Sequence, residues 1–143
     1  MSEIGSSLGQ YLEGLRADDA IVRSNARRHL ISVGAPVIAA ILEMLRSPQQ
    51  HVRWEAAKTL EGIAHPSSIS SLIDALADPD QDVRWVAAGA LVAIGRPSLK
   101  PLLERLVVKP SPDTPRPFWL YQGAHHVLFR LMERASNHRL DRP

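Results

Sequence analysis

Apolar residues recur along this chain in a pattern that repeats itself. Three phrases fall in register: VRSNARRHLISV from Val22, VRWEAAKTLEGI from Val52 and VRWVAAGALVAI from Val83. Aligned, they superpose Val22, Val52 and Val83, then Ala26, Ala56 and Ala87, then Leu30, Leu60 and Leu91, then Val33, Ile63 and Ile94. The spacing i, i+4, i+8, i+11 is one face of an α-helix. Gly34 and Gly95 follow the last apolar residue, where a left-handed turn commonly stops a helix. Ala64 takes that place in the middle phrase, which predicts a less sharp stop there.

A second helix follows each phrase. Pro36, Pro66 and Pro97 stand two residues past the stop, and proline is tolerated in the first turn of a helix. The apolar sets Ile38, Ile41, Leu42, Leu45; Ile69, Leu72, Ile73, Leu76; and Leu99, Leu102, Leu103, Leu106 each run i, i+3, i+4, i+7. Pro48, Pro79 and Pro110 close the units. One unit is therefore a helix A, a turn, a helix B and another turn. Such a unit buries its apolar faces only against its neighbours, which predicts a solenoid.

The domain organisation follows: a single domain over residues 1–143. Leu8, Tyr11, Leu12 and Leu15 repeat the B spacing with no A helix before them, so residues 6–17 are expected to form a capping helix. Repeats are expected at 19–47, 49–78 and 80–108. Asp19 and Asp80 stand near the starts of the first and third A helices, where a carboxylate satisfies free N–H groups. KPSPDTPRPF, with four prolines in ten residues, predicts a stiff extended loop over 109–116. Leu120, Ala124, Val127, Leu128 and Leu131 then restore helical spacing, which predicts a partial fourth repeat, an A helix, over 117–135. The missing B partner is read as the mark of a longer array, because an uncovered apolar end face invites association.

The phrases DQDVRWVAAGALVAIG and LIDALADPDQDVRW resemble HEAT repeats, in particular the short bacterial kind found in phycobilin lyase subunits. The resemblance covers residues 6–108 and, more loosely, 117–135. It implies an all-α, right-handed α-α superhelix, armadillo-like in architecture, with A helices on the convex side and partner-binding B helices on the concave side. It also implies an Arg ladder, Arg23, Arg53 and Arg84, bonded to backbone or acid near the turn of a neighbouring repeat. The matching acids are Asp19 and Asp80, and Gln49 interrupts the series in the middle copy.

Composition narrows the function. There is no cysteine, which removes disulfides, thiolate metal sites and cysteine nucleophiles and fits a reducing, cytoplasmic setting. No apolar run is long enough to span a membrane, and the N-terminus lacks the basic and apolar regions of a secretory signal. The net charge of +2 is too small to argue for nucleic acid. Its distribution is uneven: residues 1–95 carry 8 basic and 11 acidic side chains, a balance of −3, and residues 96–143 carry 9 and 4, a balance of +5.

Four constellations are candidates for function. Glu13, Glu43, Asp74 and Glu104 each stand five residues beyond the first apolar anchor of a B helix, about 140° around it, and predict an acidic row along the concave face. Met44 and Ala40 would add apolar contact beside it. Trp54, Trp85 and, by alignment, Tyr121 predict a convex aromatic row, which either anchors a partner or lies over stems of the next repeat. Arg23, Arg27 and Arg28 form a basic edge, a weak nucleic-acid footprint on so nearly neutral a chain. His125 and His126 are adjacent rather than i, i+4, and no other histidine has ligand spacing, so no metal or cofactor is expected. No phosphate loop, nucleophile elbow or catalytic carboxylate pair is present. The expected function is a non-catalytic scaffold or adaptor whose concave face takes a basic segment of another protein, with self-association through the end faces a further option. A chromophore-attachment role like that of phycobilin lyases and a nucleic-acid-binding role are the alternatives.

Overall fold

The computed structural model describes residues 2–108, 111–113 and 117–140. Pro110 and most of the proline-rich loop lie outside them. The described residues contain helices and no β-strand. The A helices are α2 (Ala20–Val33), α4 (Gln50–Ile63) and α6 (Gln81–Ile94). The B helices are α3 (Ile38–Met44), α5 (Ile69–Ala75) and α7 (Leu99–Val107). A single 3-10 turn, carrying the predicted proline, leads into each B helix. The chain opens with α1 (Ser2–Gly14), a B-type helix, and closes with α8 (Phe118–Leu140). The opening helix starts four residues earlier than its spacing suggests, and α8 runs five residues past the expected end.

The A helices stack side by side because their facing residues are small. Ala56, Ala57, Ala87, Ala88, Ala90 and Ala124 are all buried along this layer. The B helices fill the space beside it with Ile41, Leu72, Ile73, Leu76 and Leu102. Fully burying a side chain of this size contributes about 1.5–3 kcal/mol relative to leaving it exposed. One contiguous core results, from Leu15 to Leu131.

The helix starts and stops follow local chemistry. Asp19 accepts from the N–H groups of Ile21 at 2.7 Å and Val22 at 3.2 Å, and Asp80 accepts from Val83 at 3.0 Å. At the stops, Gly34 and Gly95 have φ of 76° and 87°. Ala64 adopts φ 52°, ψ 42°, and α4 ends as sharply as its neighbours, at fourteen residues like α2 and α6. The expectation of a softer stop is therefore wrong. Packing of the next B helix fixes the turn, and the alanine accepts a strained left-handed backbone to fit it.

The repeat positions are not equally buried. Val52 and Val83 are fully buried, yet the aligned Val22 is 45% exposed, since among the described residues no A helix lies on the outer side of α2. At the other end, Ile73 is 2% exposed and the aligned Leu103 is 47% exposed, since among the described residues no B helix covers α7.

Candidate functional site

Arg23, Arg53 and Arg84 share one geometry. In each, Nη1 donates to the carbonyls six and five residues earlier: Ala17 and Asp18 for Arg23, Ser47 and Pro48 for Arg53, Asp78 and Pro79 for Arg84. Each arginine thus ties down the turn that ends one repeat. The same side chains reach forward to the next repeat, but not to Asp19 or Asp80, which are occupied as helix caps. Arg23 Nε lies 3.3 Å from Glu55, and Arg53 holds Asp78 in a two-pronged pair at 2.9 and 3.1 Å. Arg84 lies over the Trp119 ring, 5.2 Å from its centroid. Asp80 is bridged instead by Gln50. Its carboxyl is held below the usual range by the Val83 N–H and then by the Gln50 side chain.

Glu55 was invisible as a partner in the sequence. It is buried between α2 and α4, where Arg23 and Arg27 both pair with it. Two of the three arginines of the predicted basic edge are thereby turned inward. Only Arg28 of that edge is exposed, which leaves no phosphate-binding row.

The aromatic positions behave differently from one another. Trp54 is half-buried under Arg27, 5.5 Å from its centroid. Trp85 is 65% exposed and meets the His126 ring of α8 at 4.6 Å. Tyr121 is exposed on α8. Trp119, absent from the predicted row, donates its indole N–H to the Ala77 carbonyl at 3.1 Å. Three of these four rings, Trp54, Trp85 and Trp119, meet groups of a neighbouring repeat, so the aromatic positions do not form one uniform row.

The acidic positions do lie exposed on the B-helix face. Glu13, Glu43, Asp74 and Glu104 all point to solvent. They are interleaved with cations: Arg16 sits 3.7 Å from Glu13, Lys100 sits 3.9 Å from Glu104, and Arg105 reaches Asp74 from the next repeat at 2.6 Å. Glu43 has no ion pair among the described residues. Glu43 and Asp74 share an open cleft of about 360 Å³ between α3 and α5, lined also by Leu42, Arg46, Ser71 and Asp78. Met44 does not belong to this surface. It is buried, because its position on α3 turns it into the core with Ile41, and this corrects its assignment as a contact residue. Ala40 is half-buried.

A larger groove, about 910 Å³, opens at the C-terminal end of the stack. Its lining is Leu99 beside the start of α7, Gly95 and Arg96 before it, and Leu131, Met132, Arg134, Ala135, Asn137 and His138 on α8. Arg134 crosses to donate to the Val92 carbonyl at 2.8 Å, satisfying one of the free carbonyls at the end of α6. The A helices of the other repeats stop where this groove begins. With no glycine or proline between Leu131 and Leu140 to stop it, α8 runs on. Spacing arguments anchored on repeated positions had no means of finding this groove.

Among the described residues, no cluster of His, Asp or Glu is placed to hold a metal ion. No single described helix is long and apolar enough to cross a membrane. The chain has no significant match among curated proteins. A family model described as HEAT repeats matches residues 8–91 and again 38–116. Repeats of this kind generally mediate protein–protein interaction and are typically non-enzymatic scaffolds. With its stacked A and B helices and the model matching most of its length, the chain belongs to the HEAT-repeat family.

Proposed function

We propose that this protein is an adaptor that takes a basic segment of a partner protein along its B-helix face, centred on Glu43 and Asp74. The observation that carries the reading is that these two carboxylates face one open cleft between successive B helices, with Glu43 unpaired among the described residues. An extended basic segment would lie across α3, α5 and α7, meeting Glu43, Asp74 and Glu104 in turn. A cation from the partner would compete with Arg105 for Asp74, an exposed pair of little net worth on its own. Complementary charge of this kind favours fast encounter and selects partners more than it adds affinity.

Affinity capture from host lysate tests the reading, with the wild-type chain beside a Glu43→Lys/Asp74→Lys/Glu104→Lys variant. A partner retained by the wild type and lost by the variant is the expected result. Equal retention by both baits would remove the cleft from the binding site.

A further inference from the structure

The groove of about 910 Å³ between the C-terminal half of α8 and the turn that leads into α7 shares no residue with the acidic cleft. Its floor is apolar: Leu99 of α7, and Leu131, Met132 and Ala135 of α8. The wall on α8 runs from Leu131 to His138, about 10 Å along the helix axis. Arg134 holds that wall in place, because its bond to the Val92 carbonyl ties the overhanging helix to the end of α6. A mostly apolar concavity of this size, with a few polar groups at its margin, is the kind of place in which small molecules bind.

Charge narrows the class of molecule. The groove is lined by Arg96, Arg134 and His138 and by no acid. The charges just outside it are matched to one another: Arg130 pairs with Glu133 at 3.3 Å, and Lys100 with Glu104 at 3.9 Å. Arg134 is turned to the end of α6, where it meets the partial negative charge of the free carbonyls. Arg96 is different. It is exposed, and among the described residues its guanidinium has no ion pair and no hydrogen bond. A guanidinium fork beside an apolar floor, with no acid to answer it, is complementary to a carboxylate carried on an apolar body. We infer that this groove binds a small amphiphilic anion, a carboxylate on an apolar chain about as long as the α8 wall. The carboxylate pairs with Arg96, and the chain covers Leu99, Leu131 and Met132. This is a ligand site separate from the B-helix face, and it does not depend on the adaptor reading.

The fluorescence of anilinonaphthalene sulfonate, itself an anion on an apolar body, reads occupancy of the groove, with decanoate as the competitor. Circular dichroism confirms that each variant is folded. The wild-type chain is expected to bind the dye at a single site and to release it to decanoate. Decylamine, a cation of the same chain length, is expected to compete about tenfold less well, because it forfeits the charge-assisted bond to Arg96. Arg96→Glu is expected to weaken decanoate by about tenfold for the same reason. Ala135→Trp, at an exposed position of the lining, fills the groove and is expected to abolish dye binding. A wild type from which decanoate displaces no dye overturns the inference. Equal competition by decanoate and decylamine overturns it too, since charge would then play no part. So does dye binding that survives Ala135→Trp, which would place the dye on another surface.

Discussion

Ile73 and Leu103 occupy the same place in successive repeats, yet one is sealed in the core and the other is 47% exposed. Val52 and Val22 differ in the same way. The paired residues are alike in chemistry and in helical position. What differs is whether a neighbouring repeat covers them. In a solenoid each repeat contacts mainly its neighbours, so stability is carried by the seams between units. An interior position has two seams, and an end position has one.

The largest test of that comparison is a pair of truncations. Leu72→Ala removes a fully buried side chain and is expected to cost about 3 kcal/mol, within the range for buried leucines. Leu103→Ala, at the open end, is expected to cost about 0.5 kcal/mol, as surface substitutions do. Urea unfolding of the two variants measures the difference. Comparable losses would mean that Leu103 is covered in solution.

A second test uses charge. Glu55 and Asn25 are equivalent, but Glu55 is buried between Arg23 and Arg27 while Asn25 is exposed. Glu55→Val, which copies Val86 of the next repeat, is expected to destabilise by about 3 kcal/mol because it strands two partly buried guanidinium groups. Adding Arg27→Leu is expected to recover much of that loss, since a packed apolar pair replaces one ion pair and only Arg23, which keeps its bonds to the Ala17 and Asp18 carbonyls, is left without its acid. Asn25→Ala is expected to be nearly neutral. A double variant no more stable than Glu55→Val alone would show that Arg27 carries the seam by some other contact, with the Trp54 ring the nearest candidate.

The smallest effect has the opposite sign. Ala64 holds φ 52° where the other two repeats have glycine. Relieving the left-handed strain is worth about 1 kcal/mol, and the added freedom of glycine in the unfolded chain offsets roughly half of it. Ala64→Gly is therefore expected to stabilise by about 0.5 kcal/mol, visible as a rise in melting temperature. Gly95→Ala, the reverse change at the matching stop, is expected to lower it.

Much of the architecture was legible in the sequence because helix-forming patterns are local. The spacing of Val52, Ala56, Leu60 and Ile63 sets one face of one helix whatever surrounds it. The same holds for the proline-bearing turns and for Asp19 and Asp80 as caps, since a cap needs only the N–H groups two and three residues on. The acidic B-helix positions were also readable, because angular position on a helix is a matter of counting. Met44 was misplaced beside that row: it stands three residues on from Ile41 and turns into the core with it.

The sequence by itself determined the repeat, its period and the helices that compose it, because each rests on residues within a few turns of one another. Tertiary structure alone decided which residues the repeats exchange: Glu55 for Arg23 and Arg27, Asp78 for Arg53, Trp119 for Arg84. Those partners lie 25 to 35 positions apart and follow no fixed spacing, since each depends on how closely two helices approach. The C-terminal groove is of the same kind. It exists because α8 continues where other A helices stop, and an opening between helices that are remote in sequence leaves no periodic trace.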